Sequence, residues 1–526
     1  MTMVDKHDTE WWKTGTIYQI YPRSFMDSDG DGIGDLKGIE SRLDHLTYLG
    51  VDAVWISPFY PSPMKDFGYD VSDYTGIDPV FGNLDDFESL LAAIHARGLK
   101  LLLDFVPCHS SDQHPWFQAS RSSRDDPKRD WYIWRDPKPD GSPPTNWIAE
   151  FGGSAWTLDE ATGQYYYHAF LPEQPSINWL NPDARAAMLD VLQTWFDRGV
   201  DGFRVDAVEN AVVNPEGGDN PPNPNWQGEG GPPRSLLGTH TKYQAETFEI
   251  AREMRRLGRT YHPEKVFVGE AYGTIEEVIR FYGDDHDGFH LPFNFLLIGA
   301  EWNPLVIASL VDAYEAALPA GAWPNWVLGN HDRARIASAS RAGRAQAPVA
   351  AMMLLTLRGT PTIYQGEELG MENVEIPPER VVDPWEINLP GQGHGRDPVR
   401  TPLAWEEAPH GGFTTGEPWL PVDLRSEVTV SVLRRDPGSI LNLHRDLLAL
   451  RHREPALTLG DYRTVSVDDA VFAYERNYGD SRIGVALNFS DQPRPAVFEG
   501  EVLLSTEGDE ATDDLRPNEG RVVRLI

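Results

Sequence analysis

The chain has 526 residues, enough for two or three domains or for one large barrel with insertions. Its 81 acidic and 46 basic residues give a formal charge of −35, which disfavours nucleic acid and anionic membranes as partners. The N-terminal segment lacks a basic stretch followed by an apolar one, and no long uninterrupted apolar window follows. We therefore expect a cytoplasmic protein with no membrane partner.

Short apolar runs alternate with amphipathic helical stretches along the chain, a pattern typical of parallel βα units. The runs span residues 17–21, 51–57, 99–106, 202–206, 266–270, 288–295, 326–330 and 360–364. Apolar residues at helical spacing predict a helix over residues 84–97. Eight such strands in order predict an α/β fold, a (β/α)8 TIM barrel.

The loop after the first run has the sequence MDSDGDGIGD, residues 26–35, which resembles a calcium-binding loop. The candidate oxygen ligands occupy positions one, three, five, seven and nine of an EF-hand loop and are Asp27, Asp29, Asp31, the Ile33 carbonyl and Asp35. Gly38 stands at position twelve, where an EF-hand has a bidentate glutamate. The residues alone thus leave two interpretations, a hard-cation site outside an EF-hand or a solvated turn.

The connections between the predicted strands differ in length. Nearly a hundred residues separate the third strand from the fourth, about twice what one helix and its loops need. We therefore predict a barrel of residues 1–108 and 180–454 with a small inserted domain of residues 109–179. Long loops at 214–233 and 366–436 follow the fourth and eighth strands, where a barrel keeps its active-site loops.

The end of the chain has a different pattern from the barrel. After a predicted helix over residues 440–452, short β-type runs follow at 462–467, 471–476, 483–488, 496–498 and 502–505. We therefore predict a C-terminal antiparallel β domain over residues 455–526.

Three carboxylates stand at the carboxyl ends of predicted barrel strands, where a barrel builds its active site. They are Asp206, Glu270 and Asp332. Arg204, two residues before Asp206 and on the same face of its strand, would keep that aspartate ionised. Glu270 has no basic neighbour on its own strand face, so it is the better proton donor. An ionised nucleophile beside a protonated acid is what a retaining glycosidase needs.

Single residues of this set are weak evidence, because a strand-end carboxylate is often structural and a lone histidine is more often a core residue. Their order and pairing favour the catalytic interpretation. DFVPCH, GFRVDAVEN, VFVGEA and VLGNHD resemble the four sequence regions of the α-amylase family of retaining glycoside hydrolases. QPSIN resembles an additional region of the branch that contains oligo-1,6-glucosidases and α-glucosidases, and the likeness covers nearly the whole chain.

The resemblance implies a role for each site residue. Asp206 would be the nucleophile, Glu270 the general acid and base, and Asp332 the carboxylate that binds secondary hydroxyls of the sugar. The remaining sugar-binding residues implied by the resemblance are Tyr69, Asp70, His109, Arg204, His331 and Arg400. Tyr69 would stack on the terminal glucose, while Asp70 and Arg400 would grip its far hydroxyls. Arg396 competes with Arg400 for that role, and a surface salt bridge is the structural alternative.

The resemblance also addresses the first loop. It implies a structural Ca²⁺ bound by Asp27, Asp29, Asp31, Asp35 and the Ile33 carbonyl, with no catalytic metal and no organic cofactor. The sequence departs from the family at Cys108, where an asparagine is usual, and at Ser176, where aspartate is common. A thiol is a poor hydrogen-bonding substitute for an amide.

Ala207, directly after the expected nucleophile, resembles enzymes that prefer α-1,4 links. A methyl-scale difference is worth roughly 1–3 kcal/mol of discrimination, so it biases the linkage without fixing it. We expect an exo-acting α-glucosidase, monomer or homodimer, that releases glucose from maltose-like or sucrose-like oligosaccharides with some transglucosylation. The alternatives are a glucosyltransferase or isomerase of the sucrose isomerase or trehalose synthase type, and a non-catalytic relative such as a transporter heavy chain.

Overall fold

Parallel strands close into an eight-stranded barrel in the computed structural model, which describes residues 10–508 and 513–525. Each strand pairs with the next along the chain, and the last pairs with the first. The barrel strands are Ile17–Ile20, Ala53–Ile56, Lys100–Phe105, Gly202–Val205, Val266–Gly269, Leu291–Asn294, Asn325–Val327 and Thr360–Tyr364. The predicted fold class is thus confirmed, with strand bounds that differ from the predicted ones by a few residues at most.

The barrel strands are mostly apolar because both of their faces are buried. Trp55, Leu102 and Val268 pack in one cluster inside the barrel. Leu103 and Phe267, on the other face, join the larger cluster beneath the surrounding helices. This explains why the strands appear in the sequence as short continuous apolar runs rather than as alternating ones.

Helices follow the barrel strands and cover the outside of the barrel. The α-helices are Trp11–Thr14, Leu36–Ser41, Leu43–Leu49, Leu84–Ala96, Pro115–Ser122, Pro182–Asp197, Ala245–Gly258, Ile275–Ile279, Leu296–Gly299, Pro304–Ala317, Ala347–Thr356, Pro384–Asn388, Val430–Leu433, Ile440–Arg453 and Pro455–Leu459. The predicted helix after the second strand begins behind Asn83, which forms a capping box with Asp86. In the described part of the chain, none of these helices has both the length and the apolar character that a membrane crossing requires.

A small antiparallel sheet lies in the long connection between the third and fourth barrel strands. Its strands are Trp134–Arg135, Trp156–Asp159 and Gln164–Tyr167, with the last one in the middle. Trp147, Trp156 and Tyr167 form a separate core beneath it. An aromatic cluster of this kind lets a short insertion hold its own shape at the mouth of the barrel.

A second antiparallel sheet follows the barrel. Its strands, in spatial order, are Asp461–Val467, Val471–Tyr478, Ser481–Asn488, Gly520–Leu525 and Gly500–Ser505. The prediction of a strand at 496–498 is wrong, since the chain forms only a two-residue strand nearby, at Arg494–Pro495. The strand Gly520–Leu525 was not predicted, because its arginines obscure the alternation. Arg521 is nevertheless buried, and its charge is paired with Glu519.

Candidate active site

One cavity opens at the carboxyl ends of the barrel strands. Asp206, Glu270 and Asp332 all line it, although they follow three different strands. Tyr69 and His109, from the loops after the second and third strands, line the same cavity. The structure therefore gathers five of the residues expected at the site around one space.

Asp206 directly follows the fourth barrel strand and is held there by hydrogen bonds of both its backbone and its side chain. Its N–H donates to the carbonyl of Phe105 on the neighbouring strand, with an N–O distance of 2.8 Å. Arg204 Nη1 donates to Asp206 Oδ1 at 2.7 Å and also to Asp104 Oδ1 at 2.8 Å. Because Arg204 is almost fully buried, its charge acts on these carboxylates with little screening by water.

Glu270 shares the same guanidinium. Arg204 Nη2 donates to Glu270 Oε2, and the backbone N–H of Ala207 donates to that same oxygen at 3.0 Å. The expectation that Glu270 has no basic neighbour is therefore corrected. It holds for its own strand, but Arg204 reaches across from the adjacent strand, whose register places Arg204 opposite Val268, two residues before Glu270.

The two carboxyl groups nevertheless differ in proton affinity. Burial raises the pKa of Glu270 to about 8; Arg204 opposes this effect, and the charges of Asp206 and Asp332 add to it. Burial likewise raises the pKa of Asp206 to about 7, against the effect of Arg204 and with that of Asp104. Of the pair, Glu270 is thus the group that keeps its proton to the higher pH.

Asp332 is in the opposite electrostatic state. Burial would raise its pKa, but His331, Arg400 and Arg396 together lower it well below its usual range. Because burial lowers the pKa of His331 and keeps that ring neutral at neutral pH, the two arginines are responsible for the effect there. Arg400 Nη2 lies 2.7 Å from Asp332 Oδ1, and Arg396 Nη1 lies 3.6 Å from it. Asp332 is therefore a fixed anion beside two groups that can exchange protons.

Tyr69 forms part of the cavity wall and contacts His331. Their rings are parallel, with centroids 5.4 Å apart, and the Tyr69 hydroxyl lies 2.8 Å from His331 Nε2. His331 itself is not among the described residues that line the cavity, so it acts on the site through Tyr69 and Asp332. His109 does line the cavity, and its Nε2 lies 3.0 Å from the carbonyl of Tyr69.

Asp70 does not lie where a direct grip on a sugar requires it. It is fully buried, and its oxygens accept hydrogen bonds from the Ser62 hydroxyl and from the N–H groups of Lys65 and Asp66. Asp66, four residues earlier, lines the cavity instead. The reason is the loop conformation between them, in which Phe67 and Gly68 both have positive φ angles, 48° and 108°.

The two candidate arginines also have different positions. Arg400 is fully buried and holds Asp332 from behind, with its Nε donating to the His331 carbonyl at 2.9 Å. Arg396 lines the cavity, where its Nη2 pairs with Asp66 at 2.7 Å and with Asp383 at 2.6 Å. The position expected of Arg400 at the cavity wall is thus occupied by Arg396.

Several cavity residues were missed by the sequence analysis because they come from loops and from the insertion. They are Asp66, Glu150, Phe151, Phe170, Glu209, Asn210, Arg234, Lys242, Tyr272, Arg333 and Trp385. The only local signal is proximity to a strand-end carboxylate: Glu209 is three residues after Asp206, and Tyr272 is two after Glu270. The aromatic members give the cavity flat apolar surfaces of the kind that sugar rings stack on.

Cys108 lies behind the cavity rather than in it. Its thiol donates to the carbonyl of Ala207 at 2.9 Å, and burial raises its pKa well above the ordinary value. Ala207 has a left-handed backbone conformation, with φ 38° and ψ 39°. The thiol therefore contacts the left-handed turn directly after Asp206.

The first loop holds a second cluster of carboxylates. Oxygens of Asp27, Asp29 and Asp35 lie within 4.8 Å of one another, which suits a hard cation with oxygen ligands. Asp31 is outside this group, and its Oδ1 accepts from the N–H of Ile33 at 2.7 Å. The structure thus brings together three of the four predicted carboxylate ligands.

Backbone N–H groups surround the clustered carboxylates. Asp27 accepts from Asp29, Gly30 and Gly32, and Asp35 accepts from Ser28 and Gly38. Burial would raise the pKa of Asp27, but these donors and the Thr414 hydroxyl outweigh it and lower that pKa. Asp27 is therefore ionised, and backbone N–H groups of the loop already bond to part of the oxygens of Asp27 and Asp35.

Comparison with known proteins agrees with this architecture. Residues 19–460 match the family model described as the alpha amylase catalytic domain. A probable alpha-glucosidase of Rhizobium meliloti is 41% identical over 92% of this chain and 90% of its own length. An oligo-1,6-glucosidase of Halalkalibacterium halodurans is 39% identical over 98% of this chain and 99% of its own.

The solved structures give the same result for the fold. The alpha-glucosyl transfer enzyme XgtA superposes with a TM-score of 0.92 at 38% identity, covering 99% of this chain and all of its own. The family model covers most of the chain, and the relatives extend over nearly all of it. The resemblance found in the sequence motifs is confirmed: the chain belongs to the α-amylase family.

Proposed function

We propose that this protein is an exo-acting α-glucosidase that releases terminal glucose from short oligosaccharides with retention of configuration. The observation that carries the proposal is the set of Asp206, Glu270 and Asp332 around one cavity, with Arg204 between the first two. The names of the two curated relatives, an alpha-glucosidase and an oligo-1,6-glucosidase, support the same substrate class.

In the first step, Asp206 attacks the anomeric carbon of the terminal glucose. As the bond from that carbon to the glycosidic oxygen breaks, protonated Glu270 gives its proton to the departing oxygen. The products are a free shortened sugar and a glucose joined covalently to Asp206. Arg204 supports this step because it favours the ionised form of Asp206, while the buried site keeps the proton on Glu270 at neutral pH.

In the second step, Glu270 is a carboxylate and acts as a base. It takes a proton from a water molecule, whose oxygen attacks the anomeric carbon and displaces Asp206. Glucose leaves with its original configuration, and both carboxyl groups return to their starting state. Asp332 remains ionised throughout, so it is suited to bind sugar hydroxyls and to stabilise positive charge on the ring.

The wall formed by Asp66 and Arg396 gives the terminal glucose its binding partners. Both side chains line the cavity and pair with each other at 2.7 Å, so together they offer fixed acceptors and donors for hydroxyl groups. This pair takes over the role that the sequence suggested for Asp70 and Arg400. Tyr69 supplies the adjacent aromatic surface.

A second candidate function is glucosyl transfer, because XgtA is named as an alpha-glucosyl transfer enzyme. The steps up to the glucosyl-Asp206 intermediate are shared, and only the group that attacks it differs. Ala207 lines the cavity beside the nucleophile, and its resemblance to enzymes that prefer α-1,4 links supports the same preference here.

We further propose a structural Ca²⁺ at Asp27, Asp29 and Asp35, with no part in the chemistry. The three carboxylates fit a hard cation through their oxygen atoms and their mutual distances. A cytoplasmic location and a monomeric or dimeric state stay predictions from the sequence, which cell fractionation and light scattering after gel filtration test.

The decisive experiment compares initial rates and products on maltose, isomaltose, sucrose and trehalose. An α-glucosidase of this kind gives glucose as the main product, fastest from maltose, and NMR detects the α-anomer first. An enzyme that yields mainly longer or rearranged sugars supports the transfer reaction instead. Release of the β-anomer contradicts the double-displacement mechanism.

A further inference from the structure

Glu209 is a carboxylate in the cavity wall that the mechanism above does not use. It lies in the short turn Val208–Asn210, which begins two residues after the nucleophile, and only 2% of its surface is exposed. Its Oε1 accepts a long hydrogen bond, 3.4 Å, from the N–H of Tyr272. Its Oε2 is buried and has no hydrogen-bond partner in the part of the chain that the structure describes.

The other carboxylates that line the cavity are each paired with a cation. Asp206 and Glu270 contact Arg204, and Asp332 contacts Arg400. The remaining pairs are Asp66 with Arg396 and Glu150 with Lys242.

Glu209 forms no ion pair within the described residues. Burial raises the pKa of Glu209 to about 7, and Lys242 opposes this effect only from a distance, because its ammonium group is bonded to Glu150 at 2.6 Å. A buried carboxylate oxygen without a donor is costly, so it marks a place where a ligand supplies one.

The surroundings of Glu209 place it on the proton-donor side of the cavity. Asp332, Arg396 and Asp66 are linked by ion pairs and form one side. Glu209 belongs to the other side, because the N–H of Val208, its chain neighbour, bonds to the carbonyl of Glu270 at 3.1 Å. Since Glu270 delivers its proton to the departing oxygen, the groups next to it face the departing part of the substrate.

We propose that Glu209 recognises the second sugar, the one that leaves during cleavage and attacks during transfer. Its free oxygen accepts a hydrogen bond from a hydroxyl group of that sugar, so the site selects leaving groups and acceptors that carry hydroxyl groups near the reacting oxygen. An aromatic or alkyl group attached to glucose offers no such donor. The inference rests on the proposed glucosidase function, which it deepens.

The test measures kcat/KM of Glu209→Ala on maltose and on p-nitrophenyl α-glucoside, which lacks the second sugar. A hydrogen bond to a charged group predicts that kcat/KM falls about 10- to 100-fold more on maltose than on the nitrophenyl substrate. Glu209→Gln keeps an acceptor oxygen, so its differential loss is about 3- to 10-fold. If Glu209→Ala does not fold, this second variant carries the test.

Glu246→Ala is the matched control, since Glu246 is exposed at the start of the helix Ala245–Gly258. Its ratio of the two kcat/KM values should equal that of the wild type. Equal losses on both substrates in the Glu209 variants, or no loss on maltose, overturn the inference while leaving the glucosidase function intact. A wild type that cleaves neither substrate overturns the proposed function and the inference with it.

Discussion

The molecule contains two groups of acidic side chains that the fold stabilises in different ways. In the cavity, Asp206, Glu270 and Asp332 are paired with buried arginines. In the first loop, Asp27 and Asp35 are surrounded by backbone N–H groups, and neither forms an ion pair with a basic side chain of the described chain.

The difference shows what each environment allows a carboxylate to do. Burial raises the pKa values of Asp206 and Glu270, and the guanidinium that they share limits the rise, so both pKa values lie near neutral pH, which suits proton transfer and nucleophilic attack. Burial would raise the pKa of Asp27, but the Thr414 hydroxyl and backbone N–H groups lower it without adding a positive charge, so this carboxylate stays available to a cation. The environment of the cavity thus suits carboxylates to chemistry, and that of the loop suits them to the proposed ion binding.

Replacing the nucleophile should give the largest effect. Asp206→Asn removes the group that forms the covalent intermediate, so turnover of maltose should fall by at least about 10⁴-fold. Rates and thermal unfolding are measured together, since the variant must stay folded. The control Asp190→Asn changes an exposed aspartate and should keep wild-type rates. Substantial activity in Asp206→Asn contradicts the assignment.

Replacing the proton donor should give a loss that depends on the leaving group. Glu270→Gln should lower turnover of maltose about 10²- to 10⁴-fold, because the departing sugar oxygen needs a proton. Formation of the glucosyl intermediate from p-nitrophenyl α-glucoside should be affected much less, since nitrophenolate leaves without one. Pre-steady-state release of nitrophenol measures this difference, and equal losses on both substrates argue against the role of Glu270.

The pH dependence follows from the two raised pKa values. Activity needs Asp206 ionised, so it should rise as the pH increases through about 7, and it needs Glu270 protonated, so it should fall above about 8. Because both carboxyl groups contact Arg204, their titrations are coupled, and the two apparent pKa values describe the pair rather than either residue alone. A narrow bell in kcat/KM is expected, and a rate that stays constant through the alkaline range contradicts it.

Removing the cation proposed for the first loop should have the smallest effect on chemistry. A chelator should lower the melting temperature by about 3 to 6 °C and change turnover per folded molecule little. Asp35→Asn should melt lower than the wild type and respond less to chelator. Identical melting curves of the wild type with calcium and with chelator contradict a bound ion.

The sequence predicted the barrel and the three strand-end carboxylates because both depend on local pattern. A strand buried on two faces needs a continuous apolar run, and a residue that follows it must face the mouth of the barrel. The sequence therefore predicts, without any information about loops, that Asp206, Glu270 and Asp332 lie at one cavity, as they do.

The positions of the remaining cavity residues depend on loop conformation and strand register, which the sequence does not show. Asp66 and Asp70 are aspartates of the same loop, and the sequence does not show which of them lines the cavity. The loop turns between them through the positive φ angles of Phe67 and Gly68, and Asp66 is the one at the cavity wall. The contact of Arg204 with Glu270 depends on the register between two strands, which no local pattern reveals.

The left-handed turn at Ala207 has a consequence for engineering linkage preference. A β-branched residue tolerates φ 38° poorly, since its branched carbon crowds the backbone in that region. Exchange of this alanine for valine therefore alters the backbone that positions the neighbouring aspartate as well as the shape of the pocket. A designer who wants to redirect the enzyme to another glycosidic bond should relax this turn first and vary the side chain second.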